Sequence, residues 1–120
     1  MQRSVETFYG LGRLVFGVGL LAAPAALGRV LVGGDAGRPA VRGMLRFYGT
    51  RDTVLGLGTL RAAAAGTDTD GWITAGVLSD LLDAGVMLAE WGDIQPDKRM
   101  PGLGAALGAA AAGVALLARR

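Results

Sequence analysis

Apolar residues run along this chain in four long stretches separated by short polar breaks. The first extends from about Ser4 to Ala23, and its uncharged part continues from Leu14 to Gly28 across Pro24. A proline there should end or kink the helix. The apolar piece that follows, Ala25–Val32, is too short to span a bilayer and is expected to lie along the interface or to re-enter. Gly33-Gly34-Asp35-Ala36-Gly37 reads as a loop. The second stretch opens at Pro39, a good first-turn residue, and runs to about Ala65. A loop, Gly66-Thr67-Asp68-Thr69-Asp70-Gly71, follows, with Asp70 as the expected N-cap of the next helix. The third stretch runs from Trp72 to Trp91, and Gly92 is placed to stop it. Asp93–Arg99 reads as a charged loop, and Pro101 is expected to open the fourth stretch, within the uncharged run Met100–Ala118. Arg119-Arg120 would anchor its end.

No strand-like alternation and no long internal repeat is present. The pattern predicts one all-α domain over residues 1–120, a four-helix transmembrane bundle with helices at about 4–23, 39–65, 72–91 and 101–118. Both termini then lie on one side. The two Trp are 19 residues apart in sequence. That is roughly 28 Å of helix, close to the hydrocarbon thickness, so they suit opposite interfaces as well as a core. Arg3, the apolar run to Ala23 and Ala23-Pro24-Ala25 also mimic a secretory signal, but the segment is read as a first membrane helix.

Composition sharpens this picture. Hydrophobic residues make up 52% of the 120 residues, 21 more are Gly, and only 18% are charged. Mean hydropathy is +0.43. Such a chain is neither disordered nor an ordinary water-soluble domain. It has no Cys and no His, which removes thiol chemistry, a disulfide framework and a Cys/His zinc site. No cofactor or metal is expected. The net charge is only +2, and no run of Lys or Arg exceeds two, so nothing resembles a nucleic-acid interface. Eleven of the twelve basic residues are Arg, the bias of a GC-rich bacterial genome. The expected location is the bacterial cytoplasmic (inner) membrane, with several passes. Orientation is not encoded: Arg3, Arg61, Arg119 and Arg120 at one end face Arg29, Arg38, Lys98 and Arg99 at the other.

The informative residues are charges inside the spans. The second stretch carries Arg42, Arg46, Arg51 and Asp52, and the third carries Asp80, Asp83 and Glu90. Each ion at bilayer depth costs at least about 2.5–3.5 kcal/mol, so these side chains must face protein or water. Asp80, Asp83, Met87 and Glu90 share one helical stripe. Arg42, Arg46, Gly49, Thr53 and Gly56 share another, with Arg51 on the opposite side of that helix. The simplest closure pairs Arg46 or Arg51 with Asp80 or Asp83, with Arg13 as a third donor. Such pairs lock the register of a bundle or line a polar cavity for a substrate, a proton or a lipid headgroup; a third reading is a soluble helical protein whose apolar faces meet in an oligomer. Gly104-x-x-x-Gly108-x-x-x-Ala112 forms a small-residue stripe for helix packing, within the chain first and between copies second. Gly10, Gly12, Gly17 and Gly19 make no phosphate loop, because no strand precedes them and no Lys-Ser/Thr follows.

Phe47-Tyr48-Gly49-Thr50-Arg51-Asp52-x-x-x-Gly56, with Ser79-Asp80-Leu81-Leu82-Asp83-Ala84 after it and Pro24 before it, resembles a class of small uncharacterised bacterial four-helix membrane proteins, distantly DoxX-like. The resemblance covers about residues 10–92. It implies that Arg51, Asp52, Asp80 and Asp83 form a central polar cluster, and it says almost nothing about activity. Three functions compete. An oligomeric or accessory membrane component, meeting a copy of itself or another membrane protein, suits a short chain with small loops and no nucleophile–base pair. A small-molecule or proton-coupled transporter would use Asp80 or Asp83. A membrane isomerase or cyclase acting on an apolar molecule would use the same two carboxylates as acid and base.

Overall fold

The computed structural model describes residues 2–119, with the backbone alone at Gln2, so Arg120 of the expected terminal anchor lies outside the described residues. The described residues form five α-helices rather than four: α1 (Gln2–Ala22), α2 (Pro24–Val32), α3 (Pro39–Ala65), α4 (Asp70–Ala89) and α5 (Pro96–Ala118). The additional helix is the short piece after Pro24. Ala23 leaves the helical region at φ −136°, ψ 62°, since a following proline disfavours the α conformation, and Pro24 starts a new helix. Gly33 ends α2 at φ +69°, and a 3₁₀ turn over Gly33–Gly37 leads to an extended Arg38 and the first-turn Pro39. α3 closes on Gly66, whose left-handed φ of +69° lets its N–H reach the carbonyls of Ala62 and Ala63. Asp70 is the first residue of α4 rather than its cap, and its N–H donates to Asp68 Oδ1 at 2.9 Å.

The last helix starts earlier than expected. Pro96 opens it and Pro101 sits inside, so part of the expected Asp93–Arg99 loop is helical. Trp91 falls beyond α4, in a 3₁₀ turn over Trp91–Asp93, where its ring lies 5.8 Å from the Arg99 guanidinium.

Packing explains where the glycines went. Along α1 the buried positions are Glu6, Gly10, Arg13, Gly17 and Leu20, and along α3 they include Leu45, Gly49, Asp52, Gly56, Thr59 and Ala63. Both series step by threes and fours, the seam of two helices meeting side by side. The helices run antiparallel, and the glycines meet in pairs. A Cβ on Gly56 would stand 2.7 Å from the Gly10 carbonyl oxygen, and one on Gly49 would stand 2.7 Å from that of Gly17. The backbones are therefore in contact, which only glycine permits. This seam, not the Gly104/Gly108/Ala112 stripe, makes the close approach within the chain. Gly104 and Gly108 have open space where a Cβ would stand, and Ala112 is exposed.

α4 packs antiparallel on α5 around Ile73, Val77, Ala110 and Leu116, joined by Val5 and Tyr9 of α1. A second apolar cluster, Leu20, Ala36 and Leu45 with Phe16, Leu27 and Tyr48, lies toward the α2 end. The bundle measures 42 × 26 × 18 Å. Its large apolar side chains point outward: Phe8, Phe47 and Leu82 are each more than 70% exposed. Three helical stretches, Arg3–Ala22, Asp70–Ala89 and Pro96–Ala118, are long and apolar enough to cross a membrane.

Candidate functional site

Between the two apolar clusters lies a layer of charge. Arg13 stands near the middle of α1, Asp52 at the middle of α3 and Asp80 near the middle of α4. All three are buried, at 8%, 4% and 3% exposure. Arg13 Nη1 donates to Asp52 Oδ1 at 3.1 Å, and its Nη2 pairs with Asp80 Oδ2. The same guanidinium donates through Nε and Nη2 to the Tyr9 hydroxyl, at 3.3 and 3.1 Å. One residue thus ties α1 to both α3 and α4. Two glycines clear the space: a Cβ on Gly76 would stand 2.7 Å from the Tyr9 hydroxyl, and one on Gly113 would stand 3.1 Å from it.

A second guanidinium extends the network toward the surface. Arg51 grips Asp83 in a two-pronged pair, with both N···O distances 2.8 Å. It also reaches Asp52 Oδ1 at 3.4 Å through Nε and Nη2, so Asp52 joins the two arginines. The Tyr48 ring lies under Arg51 at 4.3 Å, and Phe16 packs edge-on against Tyr48 at 5.7 Å. The Arg51 and Asp83 side chains are 29% and 20% exposed, so the network is open at this end.

Of the residues singled out in the sequence, Arg51, Asp52, Asp80 and Asp83 come together. Arg46 and Glu90 do not. Arg46 is exposed and donates from Nε to the Leu21 carbonyl at the end of α1, 3.3 Å away. Glu90 is exposed beyond the last turn of α4. The residue at the centre is Arg13, which the sequence offered only as a third donor, and Tyr9 and Gly76 were not signalled at all. A lone Arg or Tyr in an apolar helix carries no mark of its partner until the neighbouring helix is placed.

Chemically, the arrangement is a set of charges satisfying one another. Both oxygens of Asp83 are engaged by one guanidinium, and Arg13 spends its donors on Asp52, Asp80 and Tyr9. A surface groove of about 430 Å³ is lined by Val54, Leu57, Gly58, Arg61, Ala62, Ala65, Thr67 and Trp72, none of which belongs to the network. Among the described residues no group of His, Cys, Asp or Glu is arranged to hold a metal ion. Comparison of the chain with protein-family models, with curated proteins and with solved structures found no match.

Proposed function

We propose that the chain is a small multi-pass protein of a bacterial cytoplasmic membrane, acting as an oligomeric or accessory component rather than as an enzyme. The observation that carries this reading is the inverted polarity of the bundle. The mid-helix charges pair with one another inside, and the large apolar side chains stand outside. On this reading α3 crosses the bilayer with the three more apolar helices, because Arg51 and Asp52 meet their partners inside the bundle. The depths agree. Counting about 1.5 Å per residue from Asp80, Trp72 stands roughly 12 Å to one side and Trp91 roughly 16 Å to the other, near the two faces of a layer about 30 Å thick. Arg42 and Arg61 stand at similar depths from Asp52 along α3. α2 then rests at the interface on the Trp91 side.

The mutual pairing of the charges supports a structural role for them, and the unused Gly104, Gly108 and Ala112 face of α5 supports a role in assembly. Native mass spectrometry of the chain extracted in a mild detergent tests this. We expect a discrete oligomer or a retained membrane-protein partner, lost on Gly108→Ile. A bare monomer carrying one defined small molecule would overturn the reading in favour of a carrier working through Asp80 and Asp83.

A further inference from the structure

The charge layer does not balance. Arg13 and Arg51 bring two positive charges, and Asp52, Asp80 and Asp83 bring three negative ones. α4 contains no Lys or Arg, and the next cation along α3, Arg46, is turned to the Leu21 carbonyl. Among the described residues no Lys or Arg other than Arg13 and Arg51 is ion-paired to the network. An uncompensated charge at mid-depth in hydrocarbon is expensive, so the odd acid is met either by a proton or by a cation from outside the chain.

The opening shows where. The Arg51–Asp83 pair is the exposed end of the network, between two helices that touch less than α1 and α3 or α4 and α5 do. Asp83 accepts two hydrogen bonds from Arg51 and one from the Tyr48 hydroxyl, out of the roughly four a carboxylate can take. Around it the surface is apolar: Val86 and Leu82 on α4 are 63% and 71% exposed, and Val54 on α3 is 53% exposed. Gly85, two residues along, has open space where a Cβ would stand, which allows a close neighbour. A second copy of this chain would bring a second odd acid and would not close the balance. We infer that the face between α3 and α4 at Arg51 and Asp83 docks a partner transmembrane helix that is apolar except for one Lys or Arg at mid-depth. This rests on the membrane reading above and names the partner chemistry of an accessory component.

The test uses synthetic helices with the full chain in phosphatidylcholine vesicles. A labelled Leu/Ala helix with a single central Lys is compared with the same helix carrying Leu or Glu there, and association is read by energy transfer. We expect the Lys helix to associate about tenfold more tightly than the Leu helix, the size of one interhelical polar contact in lipid, and the Glu helix not to exceed it. Asp83→Asn should remove the preference for Lys, and Val86→Trp should block the Lys helix while leaving the ion network in place. Equal association of the Lys and Leu helices with the unaltered chain overturns the inference, and so does a Lys preference that survives Asp83→Asn in a folded protein. The comparison between helices does not depend on any variant folding. If it fails while a discrete oligomer is still found in mild detergent, the docking face falls and the assembly reading stands.

Discussion

Arg13 serves two buried carboxylates and one tyrosine with a single guanidinium, so its removal is felt on three helices at once. Without it Asp80 has no cation, and Asp52 keeps only the longer contacts to Arg51. We expect Arg13→Ala to cost about 3–5 kcal/mol, the usual penalty for stranding a buried charge, read as a fall in the denaturation midpoint in detergent. Arg13→Lys should recover part of this and no more, since an ammonium cannot repeat the fork. Arg51→Ala should cost less, about 1–3 kcal/mol, because its pair with Asp83 is partly exposed. A larger loss from Arg51→Ala than from Arg13→Ala would contradict this order. Much of the network was legible in sequence. Asp80 and Asp83 announce themselves as acids sharing a stripe in an apolar helix, and Arg51–Asp83 was among the pairings their charges suggested. Arg46 shows the limit of such reasoning. A helical face gives direction but not height, and Arg46 meets α1 at its last turn, about two turns from the Arg13 level, where a carbonyl awaits instead of an acid.

The α1–α3 pair is where the elements are tightest, and glycine sets its spacing. Gly10 and Gly17 are seven residues apart, as are Gly49 and Gly56, so two matched contacts form when the helices run in opposite directions. We expect Gly49→Ala or Gly56→Ala to force these backbones apart and to destabilise by about 1–3 kcal/mol or more. Gly104→Ala, into open space on α5, should be neutral or stabilising by up to about 1 kcal/mol for the isolated chain. Thermal unfolding of the two sets checks the contrast, and similar losses at Gly104 and Gly56 would contradict it. Sequence could not make this choice, since 21 glycines supply several small-residue stripes and only the packed partner distinguishes them. Proline was more legible at Pro24, where the break falls as expected, than at Pro101. Pro96 had already satisfied the first turn of α5, and the helix continues through the second proline.

The molecule as a whole is arranged from the charge layer outward. Its paired ions hold three helices in register at mid-length, apolar clusters fill the bundle above and below, and the surface is given to large apolar side chains. The all-α pattern was readable from polarity alone, because turn residues and prolines punctuate long apolar runs, whereas the loop expected over Asp93–Arg99 is helical from Pro96 on. The separate α2 was not counted as a helix, since nine apolar residues carry no signal of whether they fold against the bundle or extend. The proposed membrane reading puts the layer of Arg13, Asp52 and Asp80 in the middle of a bilayer, and a chain without Cys lets that be measured cleanly. Single cysteines at Gly34, Thr67, Leu82 and Gly92 would be challenged with a water-soluble, membrane-impermeant thiol reagent in sealed vesicles. We expect Gly34→Cys and Gly92→Cys to label from one side, Thr67→Cys from the other, and Leu82→Cys, which is 71% exposed on the bundle, from neither. Rapid labelling of Leu82→Cys by the aqueous reagent would mean that the charge layer does not lie within a membrane.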